Sequence, residues 1–273
     1  MPELPEVETI RAGLEPHLVG RTFEHVEIED ARLTRPQDPV EIAAELTGET
    51  VEALDRRGKY LVVRFESGRV LLIHLRMTGS LLLLQNGTAE DAYRRAVVRL
   101  DNRSDVAYRD VRRFGTWLLL EPGELEPYLA TRIGVEPLGR SLTVTSLVDR
   151  LAKRKAPLKA LVLDQRLFAG VGNIYADEAL WWARLHPLRP GHEVSRQELR
   201  ALVKGIRRAL RLGIARQGAT LRDYRGADGA EGAMQTEFRV YGRAGKPCPR
   251  CGHEIEKTRV AGRGTWYCPS CQQ

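Results

Sequence analysis

The chain begins Met1-Pro2-Glu3-Leu4-Pro5-Glu6-Val7. Loss of Met1 exposes the secondary amine of Pro2 beside a carboxylate. An α-amine titrates near ~8, about two units below a lysine ammonium. A substantial fraction is therefore unprotonated at neutral pH and able to attack an electrophilic carbon. The imine formed by a secondary amine is necessarily cationic, which makes it an electron sink. Taken alone, the default reading is an ordinary second residue whose amine does nothing, and the rest of the chain must decide.

All four cysteines lie near the other end, as Cys248-x-x-Cys251 and Cys268-x-x-Cys271. Two close pairs at this separation match a structural zinc site, in which four thiolates fill a tetrahedron and leave no position for water or substrate. His253 stands too close to Cys251 to be preferred as a ligand. Lys257, Arg259 and Arg263 lie between the pairs, so the hairpin between them presents cations suited to phosphate, or simply a solvated face.

Three further segments have residue types suited to polyanions. Gly170-Val171-Gly172-Asn173 precedes a helical pattern, where backbone amides and an Asn side chain can converge on an anion. The bland alternative is a plain helix connection, and Lys155 and Lys159 nearby favour phosphate. Arg112-Arg113-Phe114-Gly115 follows a strand and sets an aromatic among arginines, as a wedge entering a base stack would require. Alone it reads more readily as a core Phe between solvated cations. Met77, just past a strand in His74-Leu75-Arg76-Met77-Thr78-Gly79, is core filler or a second wedge, and Lys59 alone is a surface cation.

The elements that must carry these groups follow from the wider pattern. The 273 residues, 42% hydrophobic and 29% charged, fit two domains and a small module. A net charge of +7 and an isoelectric point near 9.4 favour a polyanionic partner. No apolar run approaches the ~20 residues of a membrane span, and no secretory leader is evident. No membrane association is expected, and the cytoplasm is the expected compartment.

Val7, Ile10 and Leu14 share a helical face, in a short helix limited by Pro16. Residues 21–121 read as strands: 60–65 and 70–75 around a Ser67-Gly68 turn, then 80–84, 96–100, 106–109 and 116–120, with turns at Asn86-Gly87 and Asp101-Asn102. Helices are expected at 147–156, 158–163 and 176–185. Ser195 and Glu198 form a capping box for a long amphipathic helix. Residues 218–236, rich in Gly and Ala, read as a long flexible loop.

Together, Pro2-Glu3-Leu4-Pro5-Glu6-Val7-Glu8-Thr9, Lys59, Met77, Asp110-Val111-Arg112-Arg113-Phe114-Gly115, Gly170-Val171-Gly172-Asn173-Ile174-Tyr175 and the zinc module resemble, in order and over the whole length, the bacterial formamidopyrimidine-DNA glycosylases. The resemblance implies an α+β multidomain protein. It comprises an N-terminal β-sandwich with a leading helix (1–130), a helix–two-turns–helix domain with a lesion-capping loop (131–236) and a zinc finger (237–273), with DNA in the cleft between lobes. It implies excision of oxidised purines, 8-oxoguanine and formamidopyrimidines, coupled to β,δ-elimination at the abasic site.

By position, Pro2 would be the nucleophile, Glu3 its acid–base partner, and Lys59 and Arg263 proton donors or phosphate contacts in the eliminations. Met77, Arg112 and Phe114 would fill the gap left by the flipped nucleotide. His74, Tyr93, Arg154, Lys159 and Asn173 would contact DNA, and Cys248, Cys251, Cys268 and Cys271 would hold one structural Zn²⁺. The implied partner is double-stranded DNA with oxidised bases or abasic sites, bound by a monomer. Tyr93 departs from the family's usual His, and Arg76 from its usual Gly. The rivals are an endonuclease VIII-like enzyme for oxidised pyrimidines, disfavoured by Leu4 and the Arg112–Phe114 segment, and a non-catalytic DNA-binding zinc protein.

Overall fold

A computed structural model describes residues 1–84 and 91–273; the expected Asn86-Gly87 turn lies outside them. The chain forms two compact units. One comprises Met1–Ala130 and Arg216–Ala233, the other Thr131–Ala215 and Met234–Gln273.

The first unit opens with helix α1, Leu4–Leu18, which buries Leu4, Val7, Ile10, Leu14 and Leu18 on one stripe. It runs through Pro16. A proline so near the end removes a single hydrogen bond, so the helix continues to Leu18 rather than stopping short. Strand β1 (Phe23–Ile28) is followed by helix α2, Pro39–Leu46, inside the stretch expected to be strand. Asp38 caps α2 by accepting from the amides of Val40 and Glu41, and Pro39 occupies the first turn. Only Ile42 and Leu46 of α2 are buried, too few to give the sequence a helical period.

The remaining strands are β2 (Val51–Arg57), β3 (Tyr60–Phe65), β4 (Val70–His74), β5 (Gly79–Leu84), β6 (Arg94–Leu100), β7 (Asp105–Asp110) and β8 (Thr116–Leu120). They build two four-stranded antiparallel sheets, ordered β2-β3-β4-β8 and β1-β6-β7-β5. Inward-facing Leu61, Val63, Phe65, Leu71 and Ile73 of one sheet share a core with Val26, Leu81, Val98 and Tyr108 of the other and with α1. This is the expected sandwich with a leading helix. A short helix α3, Leu125–Ala130, closes the unit.

The second unit contains α4 (Val144–Leu151), α5 (Leu158–Leu163), α6 (Asn173–Ala183) and α7 (Arg196–Ala215). The capping box forms as expected: the Ser195 amide donates to Glu198 at 2.8 Å, and the Glu198 amide donates to Ser195 Oγ at 3.3 Å. Gly205 of α7 lies against the Ala179 carbonyl of α6, where a β-carbon would collide, so the close approach of these helices requires glycine. The unit ends in a hairpin of β9 (Glu256–Val260) and β10 (Arg263–Tyr267), turned by Ala261 and Gly262 at φ +48° and +73°.

Candidate active site and nucleic-acid interface

Pro2 and Glu3 are buried at the start of α1. Glu3 is the N-cap, and its amide donates to Glu6 Oε2 at 2.8 Å. The other Glu6 oxygen accepts from the Ala219 amide at 2.8 Å. One buried carboxylate therefore fixes both the chain start and the first turn of the 216–233 segment. That segment, read from sequence as flexible, is fastened further. Tyr224 is buried with its hydroxyl donating to the Gln217 carbonyl at 3.1 Å, and the Leu83 amide donates to the Ala227 carbonyl at 2.8 Å. Its Gly–Ala composition concealed two residues, Tyr224 and Ala227, that join the sandwich core.

Lys59, in the turn just before β3, comes close to His74, since Tyr60 of β3 pairs with His74 of β4. Both are buried, Lys59 at 6% exposure. Burial, with the charges of Arg76 and Lys59, pushes the His74 imidazole down to about 3. Its Nδ1 accepts from the Arg76 amide at 3.0 Å. The ring is thus neutral at physiological pH and carries its proton on Nε2, as a donor.

The residues expected to form a wedge are assembled by Asp110, at the end of β7. One of its carboxylate oxygens accepts from Thr78 Oγ at 2.5 Å and from the Arg112 amide at 3.2 Å. The other accepts from the amides of Phe114 and Gly115 at 2.9 and 2.8 Å. The buried Asp110 thereby clamps the loop carrying Met77 to the loop carrying Arg112 and Phe114. Arg112 Nη1 donates to Met77 Sδ at 2.9 Å, and its guanidinium lies 4.8 Å from the Phe114 ring centre. Met77 and Phe114 are exposed large apolar side chains at 38% and 51%, which suits stacking against a base. Tyr93 is exposed on the same unit, with the Arg109 guanidinium 4.8 Å from its ring centre.

In the second unit Asn173 opens α6, and its Nδ2 donates to the Gly264 carbonyl at 3.1 Å. Arg263 is exposed at the start of β10, and Arg154 is exposed after α4. Lys159 is different. The expectation of a direct DNA contact is corrected by its burial, which is complete. Its ammonium donates to the Gly264 carbonyl and Thr265 Oγ and pairs with Asp177 Oδ1, each at 2.8 Å. Asp177 Oδ2 accepts from the Trp266 amide at 3.1 Å. Burial pushes this carboxyl up to about 7, against the pull of Lys159. Lys159, Asp177 and Asn173 thus hold the strand that begins with Arg263.

Cys248, Cys251, Cys268 and Cys271 bring their sulfurs within 4.8 Å of one another. Sγ separations of 4.0 Å (Cys248–Cys271) and 3.5 Å (Cys251–Cys268) fit a tetrahedron with Zn–S bonds of about 2.3 Å, whose edges are roughly 3.8 Å. Trp181 Nε1 donates to Cys248 Sγ at 3.4 Å, and the Cys268 amide donates to Gln272 Oε1 at 2.8 Å, so neighbours already orient the thiolates. The donor set is that of one structural zinc.

Sequence reasoning overlooked the carboxylates Glu6, Asp110 and Asp177 as functional supports. Glu6 and Asp110 lie inside the quoted motifs and Asp177 lies two residues past one, yet a buried carboxylate among backbone amides has no signature of its own.

A β-sandwich that begins Met1-Pro2-Glu3 and exposes Met77 and Phe114 beside Arg112, in one chain with a helical unit that carries a four-cysteine cluster and a cationic hairpin, has the parts of a DNA-repair glycosylase. Family models agree over most of the chain. The formamidopyrimidine-DNA glycosylase N-terminal domain matches residues 1–117, its H2TH domain matches 133–225, and the zinc finger found in FPG and IleRS matches 245–273. The chain is 44% identical to the formamidopyrimidine-DNA glycosylase of Chloroflexus aurantiacus, over 100% of this chain and 98% of that one. It is 40% identical to that of Streptococcus thermophilus, over the full length of both. Among solved structures, the Lactococcus lactis FPG mutant G226P in complex with Fapy-dG DNA superposes with a TM-score of 0.94 at 37% identity over all of both chains. A complex of the Lactococcus lactis protein with abasic DNA gives 0.93 at 37% identity over 99% of each.

The chain belongs to the formamidopyrimidine-DNA glycosylase family. It is a zinc-finger DNA-repair enzyme, both a DNA glycosylase and a lyase. Among the described residues no helix is long and apolar enough to cross a membrane.

Proposed function

We propose that this enzyme removes 8-oxoguanine and formamidopyrimidines from duplex DNA and then cuts the strand through a Schiff base on Pro2. One observation carries the reading. Met1 shares a groove with Met77 and Phe114, which supports a reading in which loss of Met1 frees the Pro2 amine next to the residues suited to replace a flipped nucleotide.

A damaged base inside a duplex is unreachable, and extruding it costs a few kcal/mol of stacking. Phe114 and Met77 offset this by stacking, and Arg112 faces the orphaned base. Asn173, Arg263, Lys59 and the Nε2–H of His74 supply donors to phosphate, with Arg154 and Tyr93 as outlying contacts. Lys159 acts by holding the Arg263 strand.

The Pro2 nitrogen attacks C1′, the base departs, and Glu3 protonates the sugar ring oxygen as the ring opens. The resulting iminium acidifies the C2′ hydrogen. Loss of that proton expels the 3′ phosphate, and a second elimination expels the 5′ phosphate. Zinc supplies no chemistry to these steps; when bound it fixes the fold of the finger whose hairpin carries Arg263.

The Lactococcus lactis protein also forms a complex with an oxidised-pyrimidine DNA. That favours oxidised pyrimidines as a second, slower substrate class here. We further infer a monomer working in the cytoplasm. Single-turnover excision from duplexes holding 8-oxoguanine, a formamidopyrimidine or thymine glycol tests the assignment. Purine lesions are expected to be released fastest, and preferential release of thymine glycol would overturn it.

A further inference from the structure

A groove of about 630 Å³ runs beside the wedge, bounded by Met1, Arg32, Arg35, Arg76, Met77 and Phe114. Three of its cations lack a neutralising partner: Arg32, Arg35 and Arg76 are exposed and pair with no carboxylate among the described residues. Arg57, Arg64, Arg94 and Arg109 of the same unit each pair with one. Arg113 also lines the groove, but its guanidinium is committed to Asp30, with Nη2 donating to Oδ1 at 2.8 Å.

The backbone fixes where the unpaired arginines point. Leu33 and Thr34 are buried, and the Leu33 carbonyl accepts from the Trp117 amide at 2.7 Å. The Arg113–Asp30 pair pins the same loop. Arg32 and Arg35 flank this anchored pair and are left at the surface. Arg76 has φ +53°, a left-handed conformation that glycine adopts without steric cost, and its amide is held by His74 Nδ1. A long cation thus occupies a position where the backbone alone would favour glycine.

We propose that Arg32, Arg35 and Arg76 form a phosphate-binding groove that takes the sugar–phosphate backbone of the duplex alongside the wedge. The inference rests on the DNA-repair reading above. Three unneutralised guanidiniums around one concavity attract a polyanion and suit bidentate phosphate contacts. The exposed Phe114 and Met77 on the rim suit stacked bases, so the groove matches a nucleic-acid strand rather than a small anion.

The test is binding of a duplex holding a stable abasic-site analogue, measured from low to high salt, for wild type, Arg76→Gly and Arg32→Gln/Arg35→Gln. The slope of log affinity against log salt becomes shallower by about 0.9 for each phosphate that the protein no longer neutralises. Arg76→Gly is therefore expected to lower it by about one and the double variant by about two. Arg76→Gly suits the positive φ, so it remains informative even if the double variant fails to fold. Single methylphosphonate linkages, placed in turn on the lesion strand and on the opposite strand, identify the strand. The linkage in the groove weakens wild type but not the variant. Unchanged slopes, or neutral linkages that weaken wild type and variants alike, would overturn the groove. If wild type bound no lesion duplex at all, the DNA-repair reading itself would fail.

Discussion

Glu6 accepts a 2.8 Å hydrogen bond from the amide of Ala219, 213 residues further along the chain, while its other oxygen holds the amide of Glu3. The start of α1 and the 216–233 segment are thereby fastened to one carboxylate. Glu6→Gln replaces one acceptor by an amide donor and leaves one buried N–H facing it. A loss of about 1–3 kcal/mol is expected in urea unfolding, with slower covalent trapping of lesion DNA because Glu3 is no longer anchored. Unchanged stability would show that the segment is held by Tyr224 and Ala227 alone.

Lys159 and Asp177 are fully buried partners at 2.8 Å. Lys159→Met leaves the carboxyl without its cation, for which about 3–5 kcal/mol of destabilisation is expected. Lys159→Met combined with Asp177→Asn should cost much less than the sum of the single changes. Both single variants should also weaken DNA binding, because the strand carrying Arg263 is no longer tethered at Gly264, Thr265 or Trp266. Additive unfolding energies would contradict the pairing.

His74 is held neutral, with its imidazole pushed down to about 3 by burial and by Arg76 and Lys59. In the unfolded chain it takes a proton below about 6.5; in the folded chain it does so only near 3. Its contribution to stability is therefore present above about 6.5 and is lost as pH falls toward 3. Imidazole NMR shifts of His74 are expected to stay flat from pH 5 to 8, and the acid limb of the activity profile should not move in His74→Gln. A His74 midpoint near 6.5 would contradict the buried donor role.

The strands at 60–65 and 116–120 were legible to the residue, because each is an unbroken apolar or alternating run bounded by turn residues. The zinc ligands were legible because metal chemistry fixes both residue type and spacing. Helix α2 was not, since its two buried residues define no period. Lys159 was misplaced because a lysine beside a cationic run gives no local sign of burial. Its partners Asp177, Gly264 and Thr265 come from elsewhere in the sequence and meet it only in the fold. The seating of Tyr224 and Ala227 was hidden in the same way.

The central claim is that the Pro2 amine attacks the sugar of a flipped nucleotide. It is tested most directly by borohydride trapping on an 8-oxoguanine duplex, with the adduct mapped by peptide mass spectrometry. The mature wild type, lacking Met1, is expected to trap DNA on its N-terminal peptide. Protein that retains Met1 should not trap, and Pro2→Gly should trap far less. Equal trapping by Pro2→Gly, or an adduct mapped to a lysine such as Lys59, would contradict the account.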